Sequence, residues 1–405
     1  MKIKYFLLAL FLFIIACTGR NEIKISDDNP SERIQNDSLK KVLKTEKKVI
    51  KKDQVKYNTS KKLDYNKFTK GIYLTAYTIN TKKFITLLDS AEAAGMNTLI
   101  FDLRNMNGHV FFEMPQKGFL EGENLKPTVN ISKVVKVAHA RNMRAVARLV
   151  MFHDQITAQR DSTFRPKSIK GNTWLESKRK KASWLDSSNS QVQNTLLEII
   201  EEVAKRGVDE IQMDYVRFPT QGKISEAIFS FQEEDTLKVK IDSTYTNRKK
   251  SDIIESFVAR AKKICDKYHV TLSADVFAIV SWQRNADINA TGQDIKKMTK
   301  HLDAIHPMIY SSHFSKDFGL RENLPDEPYH IVYKGSSLTK KYASDKCRVI
   351  PYIQSNSWKV NYEYDYMVGQ IQAVMDSGSD GYILWNASNK YYKTLRWIRK
   401  FDEID

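Results

Sequence analysis

The chain has 405 residues, of which 41% are hydrophobic and 28% charged, with a formal net charge of +17. That size and apolar fraction exclude a wholly disordered chain and allow one large domain with appendages or two ordinary domains. The basic residues are scattered rather than clustered, and an export signal opens the chain, so nucleic acid is not expected as a partner and acidic glycans or anionic lipid are.

In chain order, MKIKYFLLALFLFIIAC has a short Lys-bearing start, an apolar run from Tyr5 to Ile15 and a small Ala16 before Cys17. This is a secretory signal layout, too short for a convincing membrane span. The ending Ile14-Ile15-Ala16-Cys17 resembles the bacterial lipobox, which implies cleavage before Cys17 and lipidation of its thiol; an uncleaved anchor is the alternative. Either way an exported protein of the cell envelope is expected, anchored to a bacterial membrane on its periplasmic or outer side. Residues 1–16 then form a signal peptide and 17–69 a lipidated, charged linker with little apolar periodicity. Within the linker, KKVLKTEKKVIKK has an alternative reading as an amphipathic helix on anionic headgroups, through Val42, Leu43, Val49 and Ile50.

Residues 70–405 alternate short apolar runs with longer segments of helical period. Eight runs read as strands: Gly71 to Thr78, Asn97 to Leu103, Met143 to Met151, Val208 to Tyr215, Val270 to Phe277, Leu302 to Tyr310, Cys347 to Ile353 and Asp380 to Asn386. Helices are predicted for Thr81 to Ala94, Ile131 to Arg141, Gln191 to Arg206, Ile253 to Tyr268, Asp294 to His301, Tyr364 to Ser377 and Lys393 to Phe401. Gly95, Gly207 and Gly378 stand where helices would stop in a left-handed cap. The pattern predicts an α/β protein, a (β/α)8 TIM barrel. A doubly wound open sheet is the alternative, but no GxGxxG or GxxxxGK[ST] follows a strand to support it. The segments after the third and fourth strands, Phe152 to Ser190 and Val216 to Ser251, are long for βα connections and read as walls of a cleft on the catalytic rim.

At the strand ends, polar and aromatic groups recur at one level: Tyr77, Asp102, Arg104, His153, Asp214, Arg217, Asp275, His306, Tyr310, Gln354 and Trp385. Charges converging on one rim suggest a polar pocket, with ion pairing as the plainer explanation. Asp214, in IQMDYVRFPT at the exit of the fourth strand, is the candidate nucleophile or stabilising carboxylate; its structural alternative is a pair with Arg217 or Arg148. Asp275 is the second acid, since glycoside hydrolysis uses two carboxyl groups, one ionised and one protonated. Asp102, with Arg104 beside it, is either a substrate-positioning residue or half of an ion pair. Trp385, Trp358, Trp282, Tyr310 and Tyr77 offer flat faces for sugar stacking.

No HxH, HExxH or Cys/His spacing supports a metal, no cofactor is expected, and no GxSxG supports serine hydrolysis. Cys265 and Cys347 read as buried free thiols, with a disulfide between them as the alternative.

DEIQMDYVRFPT, with GIYLTAYT upstream, HPMIYSSHF and GYILWNASNKYY downstream, and the ordered VARLVMFHD and WLDSSNSQV, resembles a bacterial family of glycosyl-hydrolase-like TIM-barrel domains of unknown function. The resemblance covers nearly all of Gly71 to Asp405 and implies a (β/α)8 barrel acting on polysaccharide. It carries the fourth-strand acid onto Asp214, its tyrosine onto Tyr215, its arginine onto Arg217 and the fifth-strand acid onto Asp275. The chain departs at the second strand, where the family tends to have a further acidic residue shortly after a lysine and this sequence reads Asp102-Leu103-Arg104-Asn105-Met106-Asn107-Gly108, and at Ala278, where the family has glycine. The expected function is therefore a glycosidase working through Asp214 and Asp275, with Tyr77, Asp102, Arg104, His153, Tyr215, Arg217, His306, Tyr310, Gln354 and Trp385 binding substrate. A non-catalytic glycan-binding envelope lipoprotein is the alternative.

Overall fold

The computed structural model describes residues 67–176, 181–319 and 327–403, which all belong to one compact unit, Thr59–Asp405. The expected signal peptide, Cys17 and the linker up to residue 66 lie outside the described residues.

All eight expected strands form: β1 Thr69–Leu74, β2 Thr98–Arg104, β3 Arg144–Val150, β4 Glu210–Asp214, β5 Thr271–Phe277, β6 Ala304–Met308, β7 in two pieces, Arg348–Val349 and Tyr352–Gln354, and β8 Gly381–Trp385. Each pairs in parallel with the next, and β8 pairs with β1, closing the barrel. These runs are apolar on both faces because one face packs inside the barrel and the other under helices. The split in β7 falls at Pro351, which has no N–H to give to the ladder.

Each strand is followed by a helix: α1 Lys83–Glu92, α2 Ile131–His139, α3 Ser190–Ala204, α4 Lys250–Lys267, α5 Ile295–Met298, α6 Pro328–Tyr342, α7 Tyr364–Asp376 and α8 Tyr392–Asp402. Asn130 and Asn189 cap α2 and α3 with their side-chain oxygens, and Gly95, Gly207 and Gly378 adopt φ of 70°, 77° and 69° beyond α1, α3 and α7, as expected of left-handed stops. Helix α6 was not expected. Within its PYHIVYKGSSLTKKY, Gly335 allows close approach, since a Cβ would press on Ile309 at 2.8 Å.

The barrel interior holds Tyr73, Ile100, Val146, Ala304, Tyr310, Ile350, Tyr352 and Ile383, while the larger apolar core fills the layer between strands and helices. Towards the N-terminal ends of the strands the interior is polar. Arg144 reaches Glu210 at 2.9 Å, and Ser273 donates to Glu210 at 2.5 Å. Burial alone would raise the Glu210 carboxyl, but the Arg144 charge and the contacts from His306 and Ser273 outweigh it and hold it at about 2.

The long segments after β3 and β4 are joined by a short antiparallel pairing of Lys167–Ser168 with Ala227–Ile228, so they form one wall over the C-terminal rim. Cys265 and Cys347 are buried free thiols, as expected. Among the described residues no helix is long and apolar enough to cross a membrane.

Candidate active site

Strand alternation turns Asp102 of β2, Arg148 of β3, Asp214 of β4 and Asp275 of β5 towards one another at the barrel mouth, and Arg148 is the hub. Its Nη1 donates to Asp102 Oδ1 at 2.6 Å, its Nη2 donates to Asp214 Oδ2, and its Nε lies 3.9 Å from Asp275 Oδ2. Tyr73 donates its phenolic proton to Asp102 Oδ2 at 2.6 Å, with its ring beneath the Arg148 guanidinium. Asp214 Oδ1 accepts the N–H of Tyr215 at 2.6 Å. That short bond goes with a left-handed Tyr215, φ 52°, an unfavourable conformation for a tyrosine and a place where strain serves to aim the preceding side chain.

Asp275 is 1% exposed and Asp214 is 4% exposed, so both depend on protein partners. Gln212 Nε2 donates to Asp275 Oδ1 at 2.6 Å and to the Tyr352 hydroxyl at 2.7 Å. Burial, and then the neighbouring Asp214 charge, push the Asp275 carboxyl well above the usual carboxylate range, only partly opposed by Arg148. Burial also raises Asp102, against Arg148 and Tyr73. In the ladder Gln212 pairs with Ser273 and Met213 with Ala274, so one further step sets Asp214 beside Asp275 on adjacent strands.

One side of the mouth is an aromatic wall. Trp184, Tyr215 and His153 pack edge to face or tilted at centroid distances of 5.0 to 5.9 Å. His153 Nδ1 faces the Met106 carbonyl oxygen at 2.7 Å, so Nδ1 carries the proton, and burial lowers its pKa. The Arg217 guanidinium lies 3.9 Å from the Phe277 ring centroid and 4.4 Å from that of Trp184. On the opposite side, Tyr310 and Trp385 pack at 5.0 Å, and His313 continues the series to the half-exposed Trp358. Burial and then the Asp275 and Asp214 charges raise the Tyr310 hydroxyl, which places that ring beside the acids.

A family model described as "Putative glycosyl hydrolase domain" matches residues 71–391. The chain belongs to this family. Its fold is similar to the PgaB (BpsB) glycoside hydrolase domain from Bordetella bronchiseptica, at 11% identity and a TM-score of 0.59 over 82% of this chain and 98% of that one. It is also similar to the catalytic domain of beta-amylase from Paenibacillus polymyxa, at 9% identity and a TM-score of 0.51 over 80% and 94%. A hypothetical protein from Ruminiclostridium thermocellum ATCC 27405 is 28% identical over 51% of this chain and 97% of that chain, with a TM-score of 0.41. No curated protein matches the chain. At these identities the two glycosidase likenesses speak to the fold, a (β/α)8 barrel.

In this glycosyl hydrolase family member the structure brings together Asp102, Asp214, Asp275 and Tyr310 around the acids, with Trp385 against Tyr310 and Tyr215, His153 and Arg217 in the adjoining wall. Four expected substrate-binding residues are placed otherwise. Arg104 is fully buried and pairs with Asp154 at 2.5 Å, while donating to the Met151 and Val150 carbonyl oxygens; it pins the β2 exit to the β3 exit and is not the partner of Asp102. His306 faces inwards and down, its Nδ1 on the Ile350 carbonyl oxygen at 2.9 Å and its Nε2 3.5 Å from Glu210. Gln354 ties together the loop after β7 by donating to the Asn356 and Trp358 carbonyl oxygens. Tyr77 is not at a strand end, because Thr75 caps a short helix, Ala76–Ile79, and the exposed Tyr77 ring packs on Phe111 instead.

Arg217 also departs from expectation. It forms no ion pair with Asp214; of the two partners weighed for that acid, the structure gives Arg148. Of the two other aromatic candidates, Trp282 packs with Phe314 and Phe318 beside the core. The residues missed, Tyr73, Gln212 and Tyr352, share the inward alternation of their strands with Arg148, and that alternation was the available signal. A cavity of about 350 Å³ lined by Phe112, Val129, Asn130, Ile131 and Arg206 lies away from the acids and contains none of them. Among the described residues no cluster of three or more His, Cys, Asp or Glu is placed to hold a metal ion.

Proposed function

We propose that the protein is a glycoside hydrolase cleaving polysaccharide at the C-terminal face of its barrel, with Asp214 as nucleophile and Asp275 as acid/base. The observation that carries this reading is the environment of the pair: two carboxyl groups on adjacent strands lie within 4 Å of one guanidinium, and burial and the neighbouring Asp214 charge favour keeping the proton on Asp275. Asp214 accepts from Arg148 and from a backbone N–H, which orients it while leaving lone pairs for attack. Asp275 gives its proton to the glycosidic oxygen as the bond to the anomeric carbon breaks, and Asp214 takes up that carbon as a covalent ester. Asp275, now ionised, then removes a proton from the water that hydrolyses the ester. Neighbouring parallel strands stand about 4.8 Å apart. That spacing favours the retaining geometry of about 5 to 5.5 Å over the wider inverting one.

The test is Asp214→Asn, assayed on a panel of bacterial and plant polysaccharides. The variant should fold, by circular dichroism and thermal unfolding, and release no reducing sugar where the native protein does. Unchanged turnover would remove Asp214 from the chemistry. The non-catalytic glycan-binding reading has its own support in the Arg148–Asp214 ion pair and the near-complete burial of Asp275, and it expects polysaccharide binding without products from the native protein. We further propose, from the sequence of residues 1–17, export and lipid anchoring through Cys17 at a bacterial envelope membrane.

A further inference from the structure

Three arginines of the barrel have a carboxylate, the buried Arg104 and Arg144 with Asp154 and Glu210, and the partly buried Arg148 with Asp102 and Asp214. Arg217 has none among the described residues, although it is only 5% exposed. A buried cation without a counter-ion is costly, so its retention at this place calls for a reason.

The geometry narrows what that reason can be. The guanidinium carbon lies 3.9 Å from the Phe277 ring centroid and 4.4 Å from that of Trp184, with Tyr215 at 5.4 Å. These rings supply cation–π attraction but accept no in-plane hydrogen bond. In the plane, Nη1 donates to the Phe218 carbonyl oxygen at 2.9 Å. The Nε and Nη2 edge has no acceptor among the described residues, yet neither atom is sealed in the interior as an orphaned donor. A planar cation flanked by rings with one two-donor edge free matches the fork that binds a carboxylate through two parallel bonds. Arg217 leaves β4 three residues after Asp214, and Phe277 leaves β5 two residues after Asp275, so the clamp spans the exits of the two acid-bearing strands.

We propose that the open edge of Arg217 binds an anionic substituent, a carboxylate, on the sugar held at the acid pair, so that the substrate class is uronate-containing polysaccharide. This rests on the glycoside hydrolase reading for the position of the sugar, but not for the binding of the anion. The partly buried Tyr215 ring, backed by Trp184, then lies beside the sugar while the guanidinium reads its charge.

The test uses the purified full chain and measures binding by calorimetry to oligosaccharides of polygalacturonate, alginate and hyaluronan, each against its carboxyl-reduced form. A sulfated and a phosphorylated glycan serve as arms for the other oxyanions. At least one uronate ligand should bind, weaken with added salt, and lose about 10- to 150-fold affinity on carboxyl reduction and on Arg217→Met, as expected for a charged hydrogen-bonded contact. Carboxyl reduction needs no variant, so the test stands even if Arg217→Met fails to fold. Arg217→Lys, which keeps charge but not the fork, should recover only part of the loss. Equal affinity for native and carboxyl-reduced ligands, binding confined to neutral, sulfated or phosphorylated glycans, or no binding to any uronate would overturn the proposal. Hydrolysis of neutral glycans by a protein that binds no uronate would sink it while leaving the hydrolase standing; uronate binding without cleavage would do the reverse.

Discussion

Asp275 and Asp214 are chemically the same group, and their surroundings separate them. Asp275 is raised by burial and by the Asp214 charge, so it holds its proton to higher pH than a free carboxyl does. As the general acid it must be protonated, so turnover should fall as pH rises through its raised pKa. Asp275→Asn should abolish that alkaline limb and cut the rate on unactivated substrates by about 10²- to 10⁴-fold. An aryl glycoside whose phenol leaves without protonation should lose much less in its first step. The same group makes a stability prediction with the opposite sign to a salt-bridged acid. Between the unfolded value of about 3.9 and the raised folded value, the native state binds more protons than the unfolded one, so stability falls with rising pH across that window. Denaturant titrations of the native protein and Asp275→Asn should show that slope in the first and not in the second. A pH–rate profile without the alkaline limb in the native protein would remove Asp275 as the acid.

At the scale of elements, the β2 exit depends on a glycine. Gly108 has φ 95°, and a Cβ there would overlap the Asp154 carboxylate that neutralises Arg104. Gly108→Ala should cost about 3 to 5 kcal/mol, since displacing Asp154 leaves a buried guanidinium unpaired. Gly207, at φ 77°, has no neighbour within 4 Å of a built Cβ, so Gly207→Ala should cost only about 1 kcal/mol of left-handed strain. Urea unfolding of the two variants measures the difference, and equal losses would show that the Arg104 pair does not hold the loop. What the sequence made legible follows the same division. Strands buried on both faces announce themselves as apolar runs, and helices ending at Gly95, Gly207 and Gly378 announce their stops. Helix α6 did not, because Gly335-Ser336-Ser337 looks like a turn until Ile309 is seen against it. Asp214 and Asp275 were legible as strand-end acids, but their shared partner was not settled by spacing: Arg217 is nearer in sequence, while Arg148 is on the neighbouring strand and points inwards. Arg104 misled for the converse reason, since its partner Asp154 is 50 residues away.

At the scale of the whole molecule, the proposed lipid on Cys17 and the lysine-rich segment that follows it act on the same equilibrium, attachment to a membrane, with different physics. Each acyl CH₂ buried in the bilayer contributes about 0.8 kcal/mol and is indifferent to salt. A lysine close to anionic headgroups contributes about 1 kcal/mol, and that attraction is lost as the Debye length shrinks to about 3 Å near 1 M salt. The stretch KKVLKTEKKVIKK supplies seven lysines against one glutamate, enough for the electrostatic part to be seen once the lipid is removed. Cys17→Ser should therefore move the protein from the membrane pellet towards the soluble fraction. Any portion that stays bound should be released by about 1 M salt if the lysines hold it. Retention of the variant in the pellet at high salt would contradict lipid anchoring and favour an uncleaved apolar anchor at Tyr5 to Ile15. Release by salt from the native protein, with Cys17 intact, would assign attachment to the lysines alone.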